Sequence, residues 1–335
     1  MIAPIACGAP ANRPFRPKIM SVRPAVLVTR KLPAAALRLL EEQFEVDMHT
    51  GDAALTPREL HDRLRGKQGI VVLLGDRLDP PAIDAGADLK VIANVAVGYD
   101  NLDVGYARSK GVVCTNTPDV LTDAVADYTW ALILAITRRL GEGERIVRSG
   151  AWKGWAFDFM LGTSLRGKQL GIIGAGRIGR AVADRAPAFA MRVAVSSRRQ
   201  VDWPGAEPMS FDRLLATSDI VSLHVPLSPE TRKLIDPPAL ARMKRTAYLV
   251  NTTRGAVVDE ASLAWALRER LIAGAALDVF EREPEVHADL LPLENVVLAP
   301  HLGSATRETR LAMADLAVRN VIAVLTGQAA LTPIA

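Results

Sequence analysis

The chain has 335 residues, 49% of them hydrophobic and 23% charged, which is the composition of a globular protein long enough for two packed domains. Aromatics make up only 5%, so the core has to come from Ala, Val, Leu and Ile, a mix that suits parallel strands under helices better than a β-sandwich. The formal charge of +4 is spread along the chain, without a Lys/Arg block interleaved with aromatics, which argues against nucleic acid as a partner. Cys7 and Cys114 lie far apart, with neither metal-ligand spacing nor a disulfide framework, so a reducing cytoplasm is expected. No apolar run reaches the roughly 20 residues that span a bilayer. Residues 1–22 are broken by prolines and read as a flexible extension without a function, not as a signal peptide, with Met20 as an alternative start.

From about residue 25, β-rich runs alternate with helical patterns. Residues 24–29, 44–46, 69–74, 91–94 and 112–114 are expected as strands of a first α/β unit, with a helix over 34–42. The apolar stretch 121–140, opened by Thr122 and Asp123 as capping residues, predicts one long helix. Asp123, Asp127 and Arg138 make it too polar for a membrane span. Residues 150–162 read as a loop. A second unit follows, with strands over 170–174, 193–195, 220–224, 247–250, 275–277 and 296–298. Six strands interleaved with helices is the doubly wound dinucleotide-binding layout. A helix over 307–325 closes the chain.

The strand at 170–174 runs into Gly174-Ala175-Gly176-Arg177-Ile178-Gly179, a G-x-G-x-x-G turn that opens a helix. Gly174 allows the tight turn, Gly176 lets the backbone approach a pyrophosphate, and Gly179 lets helix and strand pack closely. The helix N-terminus offers free N–H donors to the anion. An NAD-specific strand ends in Asp or Glu about 20 residues on, where it holds the ribose 2′-hydroxyl. Here that strand ends in Ser197-Arg198-Arg199. A carboxylate repels a 2′-phosphate; a hydroxyl and guanidinium groups bind it. The expectation is NADP(H) in preference to NAD(H). A solvated surface turn is the plain structural alternative.

Three further segments end strands on the side where such sheets bind ligands. They are NTTRGAVVDE around Arg254, ALDVFEREP around Glu283 and APHLGSAT around His301. With ANVAVGYDNLDV, TPDVLTDAVAD and LGIIGAGRIGRAVA they run in order from about residue 25 to the end. On these stretches the chain resembles the D-isomer-specific 2-hydroxyacid dehydrogenases, and among them the glyoxylate/hydroxypyruvate and 2-ketogluconate reductases.

The resemblance implies reduction of a small 2-keto acid such as glyoxylate or hydroxypyruvate. Arg254 would hold the substrate carboxylate and polarise the carbonyl with its rigid fork of donors. His301 would protonate the carbonyl oxygen as hydride arrives at carbon, and Glu283 on the other ring nitrogen would favour the protonated imidazole. No metal is needed for that charge balance. Val97 and Gly98 match the loop whose N–H groups bind the carboxylate. Asp278 matches the residue that holds the nicotinamide carboxamide, a helix cap being its structural alternative. Thr122, Val225, Pro226, Thr252 and Gly303 match cofactor-lining positions. His224 reads as structural. Trp152, Trp155 and Phe157 read as a loop that either shapes a substrate pocket, in this subunit or a partner, or packs at the domain junction.

The resemblance also implies a Rossmann-type cofactor domain, residues 120–305, inserted in a flavodoxin-like substrate domain, residues 23–119 and 306–335, and a homodimer. Against the family pattern, Ala190 stands where a glycine suits a left-handed helix end, at a cost of about 1 kcal/mol, and Pro187 is expected to shorten the preceding helix. Three competing readings remain: a reductase of a bulkier 2-keto acid such as 2-ketogluconate, a dinucleotide-sensing binding protein, and formate oxidation. The last leaves the Glu283–His301 acid pair idle.

Overall fold

Short runs of three to five residues, most of them aliphatic and buried on both faces, build the two sheets that organise the chain. The computed structural model describes residues 23–51 and 53–335. The extension expected over 1–22, with Cys7 and Met20, lies outside them.

The first unit holds β1 (Ala25–Val28), α1 (Ala34–Glu41), β2 (Glu45–Met48), α2 (Pro57–Leu64), β3 (Gly69–Val72), α3 (Pro80–Ala85), β4 (Val91–Asn94), α4 (Val104–Ser109) and β5 (Val113–Thr115). Its five strands are parallel in the order β2-β1-β3-β4-β5, the flavodoxin-like arrangement. Period-two alternation divides each strand between two layers. Leu27, Ile70, Val72 and Ile92 face one hydrophobic cluster, and Val26, Val28, Val71 and Ala93 face the other. Side chains that accept backbone N–H groups start the short helices: Thr56 in a capping box with Glu59 for α2, Asp79 for α3 and Asp103 for α4.

Two helices, α5 (Thr122–Thr137) and α6 (Leu140–Arg148), lead into the second unit. This corrects the expectation of one helix over 121–140. Arg139 takes a left-handed φ of +53°, which breaks the run, and Thr122 and Asp123 lie inside α5 behind Leu121 instead of capping it. Trp130 of α5 donates to the Val182 carbonyl at 3.0 Å and stacks on Phe189 with centroids 4.3 Å apart, which fixes α5 to the second unit.

That unit holds β6 (Gln169–Ile173), α7 (Arg177–Arg185), β7 (Arg192–Ser196), β8 (Ala206–Pro208), α8 (Phe211–Thr217), β9 (Ile220–Leu223), α9 (Pro237–Arg242), β10 (Tyr248–Asn251), α10 (Glu260–Arg268), β11 (Gly274–Leu277) and β12 (Val296–Leu298). Its seven parallel strands run β12-β11-β10-β9-β6-β7-β8. This is one more than the six expected; the addition is β8, a three-residue edge strand with a proline. Between β6 and β9 the strand order reverses, and a ligand crevice opens at such a switch point. Pro187 does end α7 early: a 3₁₀ turn over Ala186–Phe189 follows, and Ala190 sits at φ +52°.

The last helix, α11 (Arg307–Leu325), returns to the first unit and packs on α1, β3 and β4. The tail after it is tied to β5, with the Ile334 N–H donating to the Cys114 carbonyl at 2.8 Å.

Candidate active site

The last residue of β4 decides how the next loop points. Asn94 is fully buried, and its amide donates to the Gly98 carbonyl at 2.8 Å. Asn116 donates to the Val97 carbonyl at 2.8 Å, and the Thr117 N–H donates to the Ala96 carbonyl at 2.9 Å. A trans peptide sets C=O and N–H in opposite directions. Drawing these carbonyls back into the first unit therefore turns the N–H groups of Val97 and Gly98 outward, and neither has a partner among the described residues.

Facing them is Arg254, just past β10. Fully buried Asn251 folds this turn by donating to the Arg254 carbonyl at 2.9 Å and accepting from the Thr253 N–H at 3.0 Å. The turn abuts the next strand end so closely that a Cβ on Gly255 would lie 1.8 Å from the Phe280 carbonyl carbon. Two edges of the guanidinium are taken: Nε donates to Asp100 and Nη1 to the Thr253 carbonyl, both at 2.9 Å. Nη2 is buried without a partner among the described residues. A Cβ on Gly98 would stand 2.0 Å from it, so a larger residue there would push the guanidinium out of this position. A buried cationic donor without an acceptor is costly, and together with the two outward N–H groups it forms a place for an anion. Arg254 lines three adjoining cavities of about 460, 250 and 70 Å³.

His301 shares the two smaller cavities with Arg254. It follows β12 and takes a left-handed φ of +55°, which histidine tolerates better than most side chains. Its Nδ1 lies 2.9 Å from Glu283 Oε2, which leaves Nε2 for other chemistry. Burial pushes the Glu283 carboxyl up, but the His301 hydrogen bond and charge, the Phe280 N–H and the Arg254 charge outweigh it and hold the group below its ordinary value.

Asp278, at the end of β11, is 1% exposed and caps no helix. Its carboxylate accepts from the N–H groups of Leu302 and Gly303 at 2.7 and 2.8 Å. Burial nevertheless pushes this carboxyl up.

The glycine turn follows β6. Gly174 takes φ +107°, and a Cβ there would lie 2.3 Å from the His224 carbonyl oxygen; one on Gly179 would lie 2.3 Å from the Gly174 carbonyl oxygen. At Gly176, which precedes α7, a Cβ would meet nothing within 4 Å, and no side chain caps the helix. Two glycines thus close the turn and the third leaves an open approach to free N–H groups, a cradle that fits a pyrophosphate. Ile178, Val225, Pro226 and Thr252 line the 460 Å³ cavity beside it, with Val97, Gly98 and Arg254. Ser197, Arg198 and Arg199 are exposed after β7, and the Arg199 N–H donates to Ser197 Oγ at 3.2 Å. Arg177 pairs with Asp119 at 2.8 Å.

The chain matches the family model described as D-isomer specific 2-hydroxyacid dehydrogenase, NAD binding domain, over residues 130–303. The chain belongs to the D-isomer specific 2-hydroxyacid dehydrogenase family. This dehydrogenase is 47% identical to the glyoxylate reductase of Thermococcus onnurineus over 315 residues, 92% of this chain and 94% of that protein. Among solved structures it is similar to a protein from Thermus thermophilus, at 46% identity and TM-score 0.89, over 93% of this chain and 100% of that one. It is also similar to an NADPH-dependent glyoxylate/hydroxypyruvate reductase from Sinorhizobium meliloti, solved with NADP and malonate, at 38% identity and TM-score 0.84, over 93% and 97% of the two chains.

The fold thus brings Val97, Gly98, Arg254, Glu283, His301, Asp278, Thr252 and Gly303 of the dehydrogenase to one region. Thr122 stands apart from those linings, although Leu121 and Val125 beside it take part. His224 is buried with Nε2 2.9 Å from Ser222 Oγ, and burial pushes it down to about 3, so the neutral ring is a packing element. Asp100, Asn94 and Asn116 carry no motif that marks them in the sequence as site residues. A polar residue ending a strand that is otherwise all aliphatic was the one available signal for Asn94.

Proposed function

We propose that the protein reduces small 2-keto acids, glyoxylate and hydroxypyruvate, to the D-2-hydroxy acids, with NADPH preferred to NADH. The observation that carries this reading is the free, buried Nη2 of Arg254 opposite the outward N–H groups of Val97 and Gly98, with the His301–Glu283 pair beside it. A 2-keto acid presents a carboxylate and an adjacent carbonyl, the two acceptors such a cluster can take.

In this reading Val97, Gly98 and Arg254 bind the carboxylate, and Arg254 also polarises the carbonyl. His301, held through Nδ1 by Glu283, donates the proton on Nε2 to the carbonyl oxygen as negative charge develops there. Glu283, already ionised, stabilises the charged imidazole before that transfer. A bound nicotinamide dinucleotide supplies the hydride. Gly174 to Gly179 would hold its pyrophosphate, and Val225, Pro226, Thr252, Asp278 and Gly303 would line its site, with Thr122 at the start of α5 outside those linings. Ser197, Arg198 and Arg199 favour the 2′-phosphate, since no carboxylate ends β7 to repel it.

The proposal extends to a substrate domain of 23–119 with 306–335, a cofactor domain of 120–305, a cytoplasmic setting and a homodimer. Packing of α11 on β3 and β4 supports the division. A free, buried Cys114, its thiol pushed up to about 11, suits the reducing compartment. Trp155 and Phe157 are 82% and 86% exposed, and Leu140, Val147 and Trp152 in the same stretch of chain are exposed too, which supports a partner covering them. The reading is tested by following oxidation of NADPH and of NADH with glyoxylate, hydroxypyruvate and 2-ketogluconate. Fast oxidation of NADPH with the two small keto acids is expected. Faster turnover of 2-ketogluconate, or none with any acid, counts against it.

A further inference from the structure

We infer that Asp100 is a positioning residue for the reaction, setting the guanidinium of Arg254 from across the cleft so that Nη2 faces the keto acid. The inference rests on the role of Arg254 proposed above. Arg254 is a planar fork on a flexible stem, and its direction depends on what grips its other nitrogens. The Thr253 carbonyl grips Nη1 from the same turn. Asp100 grips Nε at 2.9 Å from the other unit, at the end of the very loop that presents the Val97 and Gly98 N–H groups.

That loop is itself held rigidly. Asn94 takes the Gly98 carbonyl, and Asn101, beside Asp100, donates to the carbonyls of Asp76 and Leu73 at 3.0 and 3.3 Å. The anion donors of one unit and the guanidinium of the other are therefore set from a single support. Without Asp100 only the Thr253 carbonyl holds the fork, which can pivot about Nη1 and take Nη2 out of register with Gly98. The carboxylate and guanidinium are 32% and 20% exposed, and an ion pair this open adds little to folding stability. Its effect belongs in substrate handling.

The test is a cycle of Asp100→Ala, Asp100→Asn and Arg254→Lys, assayed with glyoxylate and NADPH. Losing a charge-assisted hydrogen bond corresponds to about tenfold to a hundredfold. Asp100→Ala is expected to raise the glyoxylate KM by that factor, with the NADPH dissociation constant and the unfolding temperature unchanged. Asp100→Asn, which keeps an acceptor oxygen, restores part of the loss. In the Arg254→Lys background, where the side chain has no Nε to grip, Asp100→Ala adds little. An unchanged KM in an active protein, or additive losses in the cycle, overturns the inference and leaves the proposed function standing. A purified wild-type protein that binds NADPH but turns over no keto acid overturns both.

Discussion

Asp278 holds the turn that carries His301. Its carbonyl accepts the His301 N–H at 2.8 Å, while its carboxylate accepts those of Leu302 and Gly303. Three consecutive N–H groups at the end of β12 are thereby satisfied by one residue at the end of β11. The left-handed backbone of His301 persists because these bonds over-determine it.

Replacing Asp278 by Asn puts an NH₂ group against one of the two N–H donors. The expected loss is about 1–3 kcal/mol of stability. Urea unfolding measures it, and an unchanged midpoint contradicts the assigned role.

His301→Gln keeps a polar side chain but no titratable acid. Turnover of glyoxylate should fall by about 10²–10⁴-fold, the usual range for a general acid. NADPH binding, read by fluorescence, should persist. A near-normal kcat rules the imidazole out as proton donor.

The fold was legible where physics is local. Consecutive aliphatic residues announced the strands, and the glycine turn announced its cradle, because each signal lies within a few residues. The strand β8 was not legible: Ala206, Glu207 and Pro208 have no aliphatic run, and pairing with β7 alone makes them a strand. Nor was the break after α5, since Arg139 carries neither glycine nor proline chemistry. At the site, Arg254, Glu283 and His301 stood out by family pattern. Asp100 did not, because its partner lies in another unit and only folding joins them.

The proposed preference for NADPH is tested at the end of β7. Ser197→Asp with Arg198→Ala places a carboxylate where a 2′-phosphate would sit and removes a cation. The ratio of kcat/KM for NADPH over NADH should drop by at least about tenfold. If it does not move, Ser197 to Arg199 form only a solvated turn.

His224 gives the protein an acid sensitivity. Burial pushes its folded value from 6.5 to about 3. The unfolded chain therefore binds a proton that the folded chain refuses across that interval. The stabilisation is full above pH 6.5 and shrinks as pH falls, by up to about 1.4 kcal/mol per unit. His224→Gln should flatten the fall between pH 6.5 and about 5, before carboxylates titrate. Equal slopes in the two proteins would show that His224 titrates normally.

The most direct measurement supplies hydroxypyruvate and NADPH and determines the handedness and amount of the product. D-glycerate is expected in step with the NADPH consumed. L-glycerate, or no consumption of NADPH, would contradict the proposed function.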